Sequence, residues 1–199
     1  MTGIAWRGLL LASLATLPAG CGSSPPLHSY VLGDPTTAAG MRPDGGLEVV
    51  ELMTVTVPDY LDTSDILLRT GPNQVTPSPT GRWGERLSVG MTRALAAKLS
   101  AVLPGRVIET SRMSDPDQRL QVAVDQLDVT TDGKCQMVAS WLVTTRDGRI
   151  AAAGGRDSFH EAAESGADPA IAAALTRLVD QLAGRIQATI GQRPAPAGP

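Results

Sequence analysis

Few residues in this 199-residue chain are placed for chemistry. Cys21 is the first of them. It follows an apolar run, residues 8–17, which is preceded by the cation Arg7 and closed by Pro18, Ala19 and Gly20. The run is too short to cross a bilayer, and the layout is that of a secretory signal peptide. Residues 1–20 are therefore expected to be an address rather than part of the fold. The second cysteine, Cys135, shares strand parity with Met137, Ala139, Trp141 and Val143. That is the more apolar face, so its thiol is expected to be buried rather than reactive. The two histidines, His28 and His160, have no local partner that would make a nucleophile or a metal site. Asp59, Asp62 and Asp65 lie three apart, whereas an EF-hand needs oxygen ligands at alternate positions and a late Glu. No zinc spacing, disulfide framework or glycine-rich phosphate loop is visible. The expectation is a non-catalytic protein with no metal and no cofactor.

The elements that carry these residues follow from periodicity. Residues 47–57 (LEVVELMTVTV) are rich in Val, Leu and Thr and read as a mostly buried strand, ended by Pro58. Residues 59–65 read as a polar loop holding two apolar pegs, Tyr60 and Leu61. Ile66 to Arg69 is a short strand, Thr70-Gly71-Pro72-Asn73 a tight turn, and Gln74 to Thr76 its return. Residues 78–81 break the pattern, and a first helix is expected from about Arg82 to Val102, with Trp83, Leu87, Met91, Leu95 and Leu99 at steps of four. Arg106 to Glu109 is a short strand. Leu120, Val122 and Val124 then alternate with polar residues until the parity switches at Gln126-Leu127, which predicts a β-bulge. Asp132-Gly133 and Asp147-Gly148 are hairpin signals, giving a meander with returning strands from Cys135 to Thr145 and from Arg149 to Phe159. Asp168-Pro169 starts a second helix, whose stripe Ile171, Leu175, Leu178, Leu182, Ile186 and Ile190 runs to Gly191. The expected fold is α+β: one mainly antiparallel sheet with two long amphipathic helices on one face.

Composition narrows the function. There are 17 Lys and Arg against 20 Asp and Glu, a net charge of −3, with no basic stripe of the kind that binds nucleic acid. Aromatic residues make up 3%, so the core must come from aliphatic side chains and Met. Residues 21–29 begin as a Ser/Pro/Gly tether, residues 30–191 suit one domain, and residues 192–199 read as a disordered tail.

Two resemblances give the layout a meaning. Ala19-Gly20 before Cys21 resembles the lipobox of bacterial lipoproteins, although Pro18 stands where Leu is usual. It implies that Cys21 carries a diacylglycerol on sulfur and an acyl chain on its amine. Gly22 in place of an Asp implies the outer membrane as destination. Separately, Val55, Val57, Pro58, Tyr60, Leu61 and Asp62, then Ile66, Arg69, Gly71 and Asn73, then Arg82 and Trp83 follow in the order of a known pattern. It resembles the ABC-type transport auxiliary lipoproteins of the PqiC type. Asp128, Gly133, Ala139 and Trp141 loosely match a further pattern of that family.

The family resemblance implies a periplasm-facing, outer-membrane subunit of an inter-membrane lipid transport system. Its implied partners are a mammalian-cell-entry (MCE) domain protein and a membrane permease, with a homo-oligomeric ring as a further expectation. Pro58, Tyr60, Leu61, Arg69 and Asn73 are then the candidate partner contacts. Tyr60, Leu61 and Trp83 also suit core anchors, and Arg69 a solvated strand residue. The competing function is a stand-alone envelope lipoprotein that binds a small ligand or a soluble periplasmic protein. The scarcity of aromatics weighs against a ligand pocket.

Overall fold

The computed structural model describes residues 26–33, 48–111, 115–145 and 154–191. Cys21, the leader and the C-terminal tail lie outside the described residues, as does most of the tether.

The meander is the broadest part. Strands β6 (Gln118–Val129), β7 (Lys134–Thr145) and β8 (Gly155–Ala162) pair antiparallel, while β1 (His28–Tyr30) to β5 precede them in the chain. Cys135, Met137, Ala139, Trp141 and Val143 are all buried on one face of β7, as alternation requires. The bulge falls at Asp125, where partners step from Val124↔Ala139 to Gln126↔Val138. It restores burial to Leu127 and Val129 after two exposed residues. Gly133 turns the hairpin at φ 84°, and a Cβ there would lie 2.2 Å from the Ala163 carbonyl oxygen. That combination restricts the position to glycine.

The remaining strands overturn the single mainly antiparallel sheet. β2 (Glu48–Leu52) and β5 (Arg106–Glu109) run parallel to each other, and β2 also runs parallel to β6, giving one mixed sheet in the order β5-β2-β6-β7-β8. Parallel strands need a long crossover, and the helix α1 (Leu87–Val102) lies in the connection between β2 and β5. β3 (Asp65–Gly71) and β4 (Gln74–Trp83) form a hairpin that takes β1 as a parallel edge, making a second sheet in the order β1-β4-β3. The architecture is α+β with two mixed sheets.

Two boundaries also move. β4 continues to Trp83 although a break was expected at residues 78–81. Its prolines are tolerated because the β3 ladder jumps from Leu67↔Pro77 to Asp65↔Arg82, and β1 pairs only with Gly81–Trp83. No ladder donor is required at Pro79. The Ser78 hydroxyl oxygen instead accepts from the amides of Thr80 and Gly81, each at 3.3 Å. Trp83 thus closes a strand rather than opening a helix, and α1 begins four residues later. The strand expected over residues 47–57 stops at Leu52. Residues beyond it stay beside β6 through Met53 N–H to the Leu120 carbonyl and Thr56 N–H to the Val122 carbonyl, both 3.0 Å.

The helices cover one face of the larger sheet. α2 (Asp168–Gly191) buries Ile171, Leu175, Leu178, Leu182, Ile186 and Ile190, the expected stripe. The two helices run in the same direction. Gly33 bonds the Thr176 hydroxyl and abuts Ala94, Lys98 pairs with Asp180 at 3.1 Å, and Gln187 reaches the Val102 carbonyl.

A buried polar link ties α1 to the segment that follows β2. The Val55 amide donates to Thr92 Oγ1 at 2.8 Å, and that hydroxyl donates to the Ser88 carbonyl at 2.7 Å. Thr92→Val keeps the shape but leaves the Val55 amide buried and unpaired. Urea denaturation should show a loss of about 1–3 kcal/mol with an unchanged slope.

Candidate partner-docking surface

The segment after β2 is built around one carboxylate. Pro58 leads into a short 3-10 turn, Asp59–Leu61, closed by the Leu61 amide on the Pro58 carbonyl at 2.8 Å. The turn sends successive side chains opposite ways. Leu61 is 6% exposed and packs in the core, whereas Tyr60 is 47% exposed. Asp62 follows and points at the start of α1, whose own preceding residue, Arg86, supplies no side-chain cap. Asp62 Oδ1 accepts the Ser88 amide at 3.1 Å, and the Thr63 carbonyl accepts the Leu87 amide at 3.1 Å. Arg86 closes on the other carboxylate oxygen. A loop distant in sequence thus satisfies amide donors that a helix start leaves open. Burial opposes ionisation of Asp62, but the hydrogen bonds from Ser88 and the Arg86 charge prevail and hold its carboxyl below the ordinary value of 3.8.

Arg69 is committed to the fold. Its Nε donates to Asp128 Oδ1 at 2.5 Å, and a guanidinium nitrogen donates to the Pro72 carbonyl at 3.1 Å. Gln126 Nε2 holds the second Asp128 oxygen at 2.6 Å. Because Arg69 is on β3 and Asp128 on β6, this pair joins the two sheets, beside a parallel bridge between Arg69 and Thr130. Asn73 is exposed in the β3–β4 turn. The five candidates therefore separate. Leu61 is core and Arg69 braces the two sheets, while Tyr60 and Asn73 are open to solvent at opposite ends of β3, with Pro58 half-buried before the turn. The surface around Pro58 and Tyr60 stands on the Leu61 anchor and the Asp62 cap.

Sequence reasoning did not find the second feature, a groove of about 710 Å³ over α1 and beside α2 and β5. Val89, Ala96, Ala97 and Ser100 of α1 line it, with Ile108 opposite and the Lys98–Asp180 pair at one margin. The signal available was the small-residue run Ala96-Ala97 and Ser100, which lies off the apolar stripe of α1. Cys135 is 1% exposed, and burial pushes its thiol up to about 11. It has no thiolate to offer at neutral pH. Among the described residues no group of three or more His, Cys, Asp or Glu is placed to hold a metal.

Comparison with known proteins settles the family. The ABC-type transport auxiliary lipoprotein component family matches residues 30–187, most of the chain. The chain belongs to this family. Intermembrane transport lipoprotein PqiC of Escherichia coli (strain K12) is 29% identical over 89 residues, covering 45% of this chain and 48% of that protein. The PqiC of Shigella flexneri matches to the same extent. The chain thus aligns with about half the length of these curated relatives. In fold, it is similar to an uncharacterized protein of known crystal structure at a TM-score of 0.68, with 18% identity over 84% of this chain and 99% of the other. Protein XCC0632 from Xanthomonas campestris is similar at 0.61, with 15% identity over 83% of this chain and 95% of the other. The family is one of auxiliary lipoprotein components of transport systems of the cell envelope, defined by that role rather than by a reaction.

Arg69 and Asp128, which the sequence places in two separate patterns, meet in the fold as one ion pair. The Asp62 cap gives a direct test. Asp62→Asn should lower stability at pH 7 by about 1 kcal/mol. Because the folded-state pKa of Asp62 lies below 3.8, its contribution is present above that value and is lost as pH falls through the lower folded one. The gap between wild type and Asp62→Asn in thermal melts should therefore narrow with acidification below about pH 4.

Proposed function

We propose that this protein is a non-catalytic subunit of an MCE-type inter-membrane lipid transport system, held at the outer membrane and facing the periplasm. The observation that carries the proposal is the family match across residues 30–187, joined by the relatives named as intermembrane transport lipoproteins. The anchor is the lipid on Cys21. One acyl chain gives only reversible attachment, and two or more give stable attachment, at about 0.8 kcal/mol per buried CH₂. The working partners are an MCE-domain protein and its permease.

The surface around Pro58 and Tyr60 supplies the contact in this reading, with Leu61 and Asp62 fixing its position. An exposed tyrosine on a pinned turn suits an interface, because a rigid aromatic offers contact area at little entropic cost. Asn73 marks a second exposed point, and neighbouring copies forming a ring would use such separated patches.

The test is an in-envelope crosslink and pull-down with the full-length lipidated protein. Recovery of an MCE-domain protein is expected. Tyr60→Ala should leave the melting temperature within a degree or two, because the ring is about half exposed, and should sharply reduce that recovery. Recovery of no envelope complex by an acylated, folded protein would overturn the transport reading in favour of a lone binding lipoprotein.

A further inference from the structure

We propose a membrane-facing end for this domain: the end that holds both helix N-termini, the β3–β4 turn and the β6–β7 turn faces the phospholipid surface, and the C-terminal ends of the helices point away from it. The proposal rests on lipid attachment at Cys21.

Covalent reach sets the limit. Five peptide units separate Cys21 from Pro26, so the anchor lies no more than about 18 Å from Pro26. The chain enters the domain next to the start of α2. A cleft of about 270 Å³ is shared by His28, Tyr30, Ser78–Thr80 and Gly166–Pro169. The Thr80 hydroxyl donates to Asp168 Oδ2 at 2.6 Å, and a Cβ at Gly81 would lie 2.4 Å from Asp168 Cγ, so β4 and the start of α2 are in direct contact there. From that entry β1 runs parallel to β4 and delivers Gly33 between α1 and α2. The path therefore leads inward from the helix N-termini. α2 has 24 residues and is about 36 Å long, twice the reach of the tether.

The same end collects the turns. The parallel bridge between Arg69 and Thr130 aligns β3 with the last residues of β6, so the chain continues outward to the Gly71–Gln74 turn. The β6–β7 turn packs against the residues just before α2: the Ala163 amide donates to the Gly133 carbonyl at 2.7 Å, and a Cβ at Gly133 would lie 3.3 Å from the Gly166 amide nitrogen. Leu27 is 53% exposed at the entry, and the Lys134 side chain is 81% exposed at the turn. Lys134 is paired with Asp132 at 2.6 Å, so that turn meets the surface as a polar ion pair, while the apolar Leu27 on the tethered end suits the headgroup layer of a phospholipid leaflet.

Full-length lipidated protein in phosphatidylethanolamine/phosphatidylglycerol vesicles tests this, with spin-labelled headgroups as quencher. Two variants, Asn73→Cys and Ala188→Cys, each add one exposed thiol for a fluorophore, since Cys135 is buried and Cys21 is acylated. Quenching at position 73 is expected to exceed that at position 188 by at least threefold. With acylation of Cys21 confirmed by mass spectrometry and the protein floating with the vesicles, equal quenching at both sites, greater quenching at 188, or none at either overturns the orientation alone. A protein that lacks the acyl groups and fails to float overturns the anchor and the orientation together.

Discussion

Both helices start on the smaller sheet or on the loop that leads into it, and the rest of the structure depends on that seating. α1 has no cap of its own, so its first amides rely on Asp62 and Thr63, which lie just before β3. α2 begins with Asp168, whose carboxylate is 7% exposed as a residue and is held by Thr80 of β4. One hairpin and the loop before it thus fix two helix N-termini at once. Because those helices also form the roof of the larger sheet, any displacement of the hairpin is felt in the core. Leu61, Ile66 and Trp83 from this region pack with Leu87, Leu127 and Leu175, which belong to three other elements. The Arg69–Asp128 pair fastens the outer part of the hairpin to β6, so the smaller sheet is held both at its root and along its length.

How much of this was legible in sequence depended on the range of the interactions. The meander showed plainly because period-two alternation is local: the buried face of β7, the bulge near Gln126 and the turn at Gly133 each sit in their own stretch of chain. α2 was equally clear from one uninterrupted stripe. The smaller sheet was legible only in part. Its β3–β4 hairpin showed in the Thr70–Asn73 turn and the return at Gln74, but β4 runs on through Pro77 and Pro79 to Trp83, and its β1 partner lies about fifty residues away, so no local period marks that half. Trp83 shows the limit well. It falls four residues before Leu87 and fits a helical stripe, yet a strand partner in β1 claims it. The parallel placement of β2 was hidden for the same reason, since a buried strand has the same composition whichever way its neighbours run.

The candidate contacts divide along the same line. The family resemblance flagged Tyr60 and Arg69 alike, but an exposed aromatic and a bridging guanidinium have different tasks. The arginine is half of an ion pair whose other half lies 59 residues on, and only the fold brings the two together. Asp62 carries more of the site than sequence suggested, because one of its partners is the backbone amide of Ser88, which leaves no mark on residue identity. The groove over α1 is invisible in sequence for a further reason: alanines and a serine report small volume, not the space that neighbouring elements leave above them.

The position of β2 has a consequence for how the chain assembles. β2 is an inner strand, yet neither of its neighbours exists until much later in the chain: Glu48 meets Arg106 across 58 residues and Glu51 meets Arg119 across 68. A chain delivered N-terminus first presents Val50 and Leu52 with both edges unpaired until β5 has emerged, and with one still open until β6 follows. Closing such long loops precedes the contacts that reward them, so folding is slow and the waiting strand is a site for misassociation. The sheet is therefore completed only after most of the polypeptide has arrived, and protection of that early apolar strand during delivery is part of what the topology demands.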